Sequence, residues 1–168
     1  MSMIIRNENE SDVEAISEIT EKAFQSLAIS SHTEQFIIQA LRKANALTIS
    51  LVAEKEGKIM GHIAFSPVTI SDGTANWYGL GPISVLPALQ KQGIGKRLMR
   101  EGLSRLKSLG AKGCVLVGDS GYYGQFGFRS LPHLVVDGVP PEYVLVLPFE
   151  DNATHGIVVC HEGFHANG

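Results

Sequence analysis

The sequence predicts a mixed α/β fold built on a mostly antiparallel sheet, and three observations predict it. Alternating runs at residues 48–54, 58–70 and 77–85 are separated by Glu56-Gly57 and Asp72-Gly73 turns, the pattern of a meander. Residues 80–109 read as strand, turn and helix, and residues 113–118 follow as a short buried strand. That connection is a full helical crossover, so the two strands it joins must be parallel. Two amphipathic helical patterns precede the meander. With 168 residues, 44% of them hydrophobic, the chain is long enough for one well-buried core and short for two, so a single domain over 1–168 is expected.

Taken in order, Ile4 and Ile5 begin a first strand. Ser11-x-x-Glu14 reads as a capping box for a helix whose apolar face is Val13, Ile16, Ile19, Ala23 and Phe24. Ser31-x-x-Glu34 reads as a second box, for a helix with Phe36, Ile37, Ala40 and Leu41 inside; two helices here suit a wall over a cleft. In the 58–70 strand, Ile59, Ile63 and Phe65 are expected on one side. Gly79, Gly81 and Pro82 predict a bulge or splay in the next strand. Pro87 ends it, and Ile94, Leu98, Gly102 and Leu106 give the following helix a buried stripe closed by Gly110. After a polar break come strands near 134–136, 143–149 and 157–160, expected to pair antiparallel around a turn at Asp151-Asn152.

The turn Gln90-Lys91-Gln92-Gly93-Ile94-Gly95-Lys96 carries the chemistry. Two glycines open the helix, so its first N–H groups are unpaired and no Cβ blocks close approach. Those donors and the positive end of the helix dipole favour an anion such as phosphate, to which Lys91, Lys96 and Arg97 add charge. Seven of the chain's 14 Lys and Arg fall between Gln90 and Lys112, against a net charge of −3; Arg105, Lys107 and Lys112 read as a solvated helix face. A P-loop is excluded because Gln90 and Arg97 stand where Gly and Ser or Thr are required. A dinucleotide fingerprint is excluded because its last glycine would fall on Leu98.

Other classes are disfavoured on composition. A pI near 6.1 is a poor match to nucleic-acid binding, and no apolar run is long enough to span a membrane. The N-terminal residues lack a signal-peptide core, so a cytoplasmic location is expected. Cys114 and Cys160 fit no zinc or redox spacing and read as reduced thiols. His161-Glu162-Gly163-Phe164-His165 matches H-E-x-x-H, but a glycine sits at its centre and a strand precedes it, so no metal site is assigned.

Gln90, Gly93 and Gly95, behind the Val85-x-Pro87 strand end, resemble motif A of the GNAT acetyltransferase superfamily, Gln/Arg-x-x-Gly-x-Gly/Ala. A second match lies further on, where Tyr123 stands four residues before the Gly127-Phe128 pair. The run from Gly118-Asp119 through Tyr122-Tyr123-Gly124 to Phe128, with Gly156-x-Val158 and Phe164, resembles the YhbS-type branch. The resemblance implies a GNAT fold: a twisted, mixed but mostly antiparallel sheet of about seven strands, splayed after the fourth and flanked by about four helices.

It also implies acetyl-CoA as donor and an amine of a small molecule or peptide as acceptor. The backbone of Ile83 and Val85 would pair with the pantetheine arm. Amides of Gln92, Gly93, Gly95 and Lys96 would hold the pyrophosphate, with Gln90, Lys91 and Ile94 completing the turn. Tyr123 would protonate the departing thiolate, Tyr122 being its packing partner, and Ser84 lies beside the acetyl site as a second catalytic candidate. For the base that frees the amine, Glu34, His62, Ser84 and Asp119 are all open. Relatives often carry Asn where this chain has Gly118. A catalytically silent acyl-CoA-binding module is the alternative, against which Tyr123 argues. A C-terminal strand able to pair with a neighbour leaves a homodimer open.

Overall fold

The computed structural model describes residues 3–25, 27, 30, 32–150 and 154–167. In chain order these form β1 (Ile4–Asn7), α1 (Val13–Gln25), α2 (Glu34–Lys43), β2 (Ile49–Lys55), β3 (Lys58–Ile70), β4 (Trp77–Val85), α3 (Ile94–Ser108), β5 (Gly113–Val117), α4 (Ser120–Tyr123), β6 (Leu134–Val135), β7 (Val144–Pro148) and β8 (Gly156–Cys160). The strand order is β1-β2-β3-β4-β5-β7, with β8 joining the far end of β3 and β6 joining β8. Every pairing is antiparallel except β4–β5 and β6–β8. The predicted mixed, mostly antiparallel sheet with four helices is the one observed, with eight strands among the described residues. No described helix is long and apolar enough to cross a membrane.

α3 covers one face of the sheet. Leu98, Met99, Leu103 and Leu106 bury against Leu51, Ala53, Ile63, Phe65 and Cys114. Gly102 lets the helix sit close: a Cβ there would lie 2.4 Å from the Phe65 ring. The helix ends in a Schellman cap, Gly110 at φ +85° with the Ala111 N–H returning to the Leu106 carbonyl. On the other face α1 and α2 bury Ile16 and Ile38 against Val52 and Ile59. Trp77, laid over Gly113, anchors a further cluster with Val68, Val115, Val146 and Val158.

Four local expectations are corrected. α1 is entered two residues before Ser11, through a short 3-10 turn in which Asn9 and Asp12 cap each other reciprocally. α2 buries Ile37, Ile38 and Leu41, leaving Phe36 and Ala40 only partly covered. Ile59 packs on the α1–α2 face, away from Ile63 and Phe65, because Met60 is an extra residue between the Ala53–Gly61 and Glu54–Ile59 pairs. The closing strands do not form one antiparallel set: β7 pairs β5, whereas β8 pairs β3 antiparallel and β6 parallel. Ser31 and the Asp151-Asn152 turn lie outside the described residues.

A polar chain crosses the α1–α2 face. Arg42 makes two 2.9 Å hydrogen bonds to Glu8, Ser50 donates to Glu8, and Ser50 meets His62 Nε2 at 2.7 Å. Burial, which opposes charge, lowers the pKa of His62 to about 4.

Two predictions follow from this packing. Gly102→Val drives methyl groups into a buried aromatic ring; overpacking outweighs the small gain in helix propensity, so stability falls by about 2 kcal/mol and the melting temperature by roughly 4–8 °C. Thermal unfolding checks it. For His62, the unfolded chain takes up a proton near pH 6.5 and the folded one only near pH 4, so its contribution is full above pH 6.5 and is lost as pH falls towards 4. That loss amounts to roughly 3 kcal/mol. Urea unfolding between pH 7 and about 5.5, above the range where Glu8 titrates when unfolded, should show the first part of the decline in wild type and a flatter profile in His62→Gln.

Candidate active site

The site arises where β4 stops serving two neighbours. Its parallel pairing with β5 covers only Trp77–Gly113, Tyr78–Cys114 and Gly79–Val115. Against β3, Ile63 pairs with Ile83 and Phe65 with Leu80, so Gly81 and Pro82 together face Ala64. This two-residue bulge turns β4 away from β5, and beyond Gly79 the strand keeps β3 on one side and no described strand on the other. The expected splay is therefore present, at the predicted glycines and proline.

Into the gap opens a groove of about 600 Å³. One wall is Ile83 and Val85 of β4, and the facing wall is Ala23, Phe24 and Leu27 at the end of α1. Its far end is the turn, where Gln90, Lys91, Gly93, Ile94, Gly95 and Lys96 all contribute. Lys91 and Gly93 take left-handed conformations, at φ +65° and +89°, which fold the chain sharply into α3. The first hydrogen bond of the helix runs from Arg97 N–H to the Gly93 carbonyl; the N–H groups of Gly93, Ile94, Gly95 and Lys96 meet no acceptor among the described residues. Free donors, a helix N-terminus and two lysines in a groove walled by apolar side chains match an elongated ligand with an anionic head and a less polar arm. A CoA molecule has that shape of chemistry.

Other expected residues are placed differently. The Gln90 side chain donates to the Val85 carbonyl at 3.2 Å and so ties the turn to the strand end while lining the groove. Gln92 is not on the groove wall. Arg97 is engaged elsewhere, donating to the Met3 carbonyl at 3.0 Å. Ser84 is 2% exposed and lies on the other face of β4, in register with His62, because strand residues alternate; neither Ser84 Oγ nor His62 Nδ1 has a hydrogen-bond partner among the described residues. Of the more distal cations, Arg105 pairs with Glu101 and Asn7, and Lys107 sits 5.4 Å above the Phe149 ring.

Tyr122 lines the groove with Gln125, its hydroxyl 3.2 Å from where a Cβ on Gly95 would stand. Tyr123 packs beneath, edge-on to Tyr122 at 4.9 Å and to Phe128 at 6.3 Å. Burial, with the neighbouring Tyr122 phenol, pushes its pKa up to about 12. Its ring fills the space over Gly118, where a Cβ would come within 2.6 Å. Gly118 is thus what admits this tyrosine beside the end of β5.

A second, smaller cavity of about 230 Å³ continues from the groove past Phe24, along Gly79–Pro82 and the end of β5, beneath Glu34, Ile37 and Phe164. Ser30 Oγ reaches both carboxylate oxygens of Glu34, at 2.9 and 2.7 Å. His161 and His165 sit apart from it on a 3-10 turn, His161 Nδ1 accepting from the Gly163 N–H, without the helix that H-E-x-x-H needs. Phe24, Leu27, Tyr122 and Gln125 were not anticipated; only the paired helices before the sheet signalled a wall.

Residues 13–128, which contain the whole groove, match the Acetyltransferase (GNAT) family. The chain is 34% identical over 132 residues to the uncharacterized N-acetyltransferase YhbS of Escherichia coli (strain K12), covering 78% of this chain and 76% of that one. The crystal structure of YhbS from E. coli in complex with CoA superposes with a TM-score of 0.89 at 30% identity, over 99% of this chain and 93% of the other. A GNAT family acetyltransferase from Brucella melitensis, crystallised with acetyl-CoA, gives a TM-score of 0.87 at 48% identity, over 97% and 98%. The chain belongs to the GNAT acetyltransferase family.

Proposed function

We propose that the protein transfers the acetyl group of acetyl-CoA directly to the amine of a small molecule or peptide. The observation that carries this reading is the conjunction of unpaired helix N–H groups with a free strand edge along one groove. The amides of Gly93, Gly95 and Lys96, with Gln92 at their margin, hold the pyrophosphate, and Lys91 and Lys96 add charge. The main chain of Ile83 and Val85 pairs with the pantetheine amides as a strand would; Ser84 acts through its backbone. The acceptor enters from the smaller cavity. A need for acetyl-CoA and two cysteines without a disulfide partner among the described residues support a cytoplasmic location.

The amine nitrogen attacks the thioester carbon, the carbonyl electrons move to oxygen, and the adduct collapses with cleavage of the C–S bond. N–H groups along the free edge of β4 are suited to the oxyanion. The thiolate becomes a thiol, the amine becomes an amide, and the proton of the original ammonium goes to solvent. Tyr123 is the acid by its place in the motif and at the end of β5. Its pKa of about 12 keeps it protonated, yet full transfer to a thiol of pKa ~8.5 would cost about 5 kcal/mol. Tyr123 therefore passes its proton to the sulfur only as it takes one from the attacking nitrogen, which is strongly acidic in the adduct, so that no free phenolate forms. A second reading gives this role to Tyr122, because it is Tyr122 that lines the groove.

Acetyl-CoA at ~100 times its Kd should stabilise the fold by ~2.7 kcal/mol, a melting shift of roughly 5–10 °C, and Gly93→Glu should abolish the shift. No shift in the wild type would sink the cofactor assignment. Tyr123→Phe should lower kcat by roughly 100-fold at unchanged acetyl-CoA affinity, whereas Tyr122→Phe, altered beside the pyrophosphate turn, should weaken acetyl-CoA binding several-fold and spare kcat. The opposite pattern would move the acid to Tyr122. Thiol release that requires an amine separates the enzyme from a silent binding module.

A further inference from the structure

We infer that the acceptor is a small primary amine carrying one positive charge on an aliphatic or aromatic body. This rests on the acetyl-transfer reading and concerns the cavity beyond Phe24. The cavity is small, about 230 Å³, below the roughly 300–1,000 Å³ of sites for drug-sized ligands. It abuts the splay, where the thioester would lie. Its walls are apolar: Phe24, Ile37, Leu80, Val117 and Phe164 dominate. Among the described lining residues Glu34 is the one charged side chain.

Each feature removes a class of amine. A polyamine or aminoglycoside presents several ammonium groups, and a second one would be left in an apolar wall without a carboxylate, at a high desolvation cost. An amino acid brings a carboxylate, for which no described lysine, arginine or histidine lines the cavity. A peptide needs a longer trench than this space of about 230 Å³ between α2, Phe164 and the splay. What remains is an ammonium paired with Glu34 and an apolar body against the rings. Ser30 spans both oxygens of Glu34 and so holds the carboxylate plane while leaving further lone pairs for the ammonium. Glu34 in this arrangement selects and orients the amine.

The test uses the full chain with saturating acetyl-CoA and follows thiol release with 2-phenylethylamine, hexylamine, spermidine, free lysine and a lysine-containing peptide. The apolar monoamines should exceed the others in kcat/KM by about 100-fold or more. Glu34→Gln should raise KM for hexylamine roughly 10- to 100-fold while retaining the acetyl-CoA melting shift, which shows that the variant is folded and loaded. Hexylamine should also raise the melting temperature of the CoA-bound wild type and not of Glu34→Gln. A preference for spermidine, lysine or the peptide overturns the inference and leaves acetyl transfer standing. Acetyl-CoA binding with no turnover of any amine overturns it as well. Absence of acetyl-CoA binding defeats the acetyl-transfer reading first, and this inference with it.

Discussion

A strand inside a sheet has two edges, and its backbone donors and acceptors must find partners on both. β4 meets this demand only up to Gly79, because Gly81 and Pro82 share a single partner on β3 and carry the strand off its parallel neighbour. The consequences run outward from that broken ladder. The groove exists because β5 is no longer alongside, and α3 begins where it does because Pro87 and the left-handed Lys91 and Gly93 turn the departing strand back across the sheet. Gln90, bonded to the Val85 carbonyl, fixes the turn to the strand that forms the groove wall. Unsatisfied main chain at one end and unsatisfied helix donors at the other are thus held in one rigid relation.

The remaining architecture keeps this opening from closing. Gly102 allows α3 to bear directly on Phe65, which pins the helix whose N-terminus faces the groove. On the opposite face the Arg42–Glu8–Ser50–His62 chain ties α2 to the first three strands and ends in register with Ser84. Burial would raise the Glu8 carboxyl, but hydrogen bonds from Arg42 and Ser50 bring it below its ordinary value, so the chain stays charged at its outer end and neutral at His62.

Much of this was legible in the sequence, for physical reasons. Period-two and period-four patterns identified the meander and α3, and glycines with a proline located the splay, because those residues have few conformational alternatives. What escaped depends on contacts rather than on local preference. One extra residue at Met60 sends Ile59 to the other face, and no feature of the local sequence marks it. The destination of β8 is set by the length of β3, whose Val68–Ile70 segment extends past β4. Which of two adjacent tyrosines packs over Gly118 is decided by the space that glycine leaves, a property of the packed state alone.

The crossing of β8 to β3 brings a late part of the chain to the site. Every wall of the groove comes from residues 23–125, inside the stretch 13–128 that matches the family. Val136, Cys160 and Phe164, which close the smaller cavity, lie beyond that stretch and arrive on or beside β8. On the proposed reading, the wall that would hold the donor lies inside the matched stretch, and the wall that would meet the acceptor is partly built from sequence outside it. On that reading, changes after residue 128 reshape the choice of amine while leaving the turn at Gln90–Lys96 untouched.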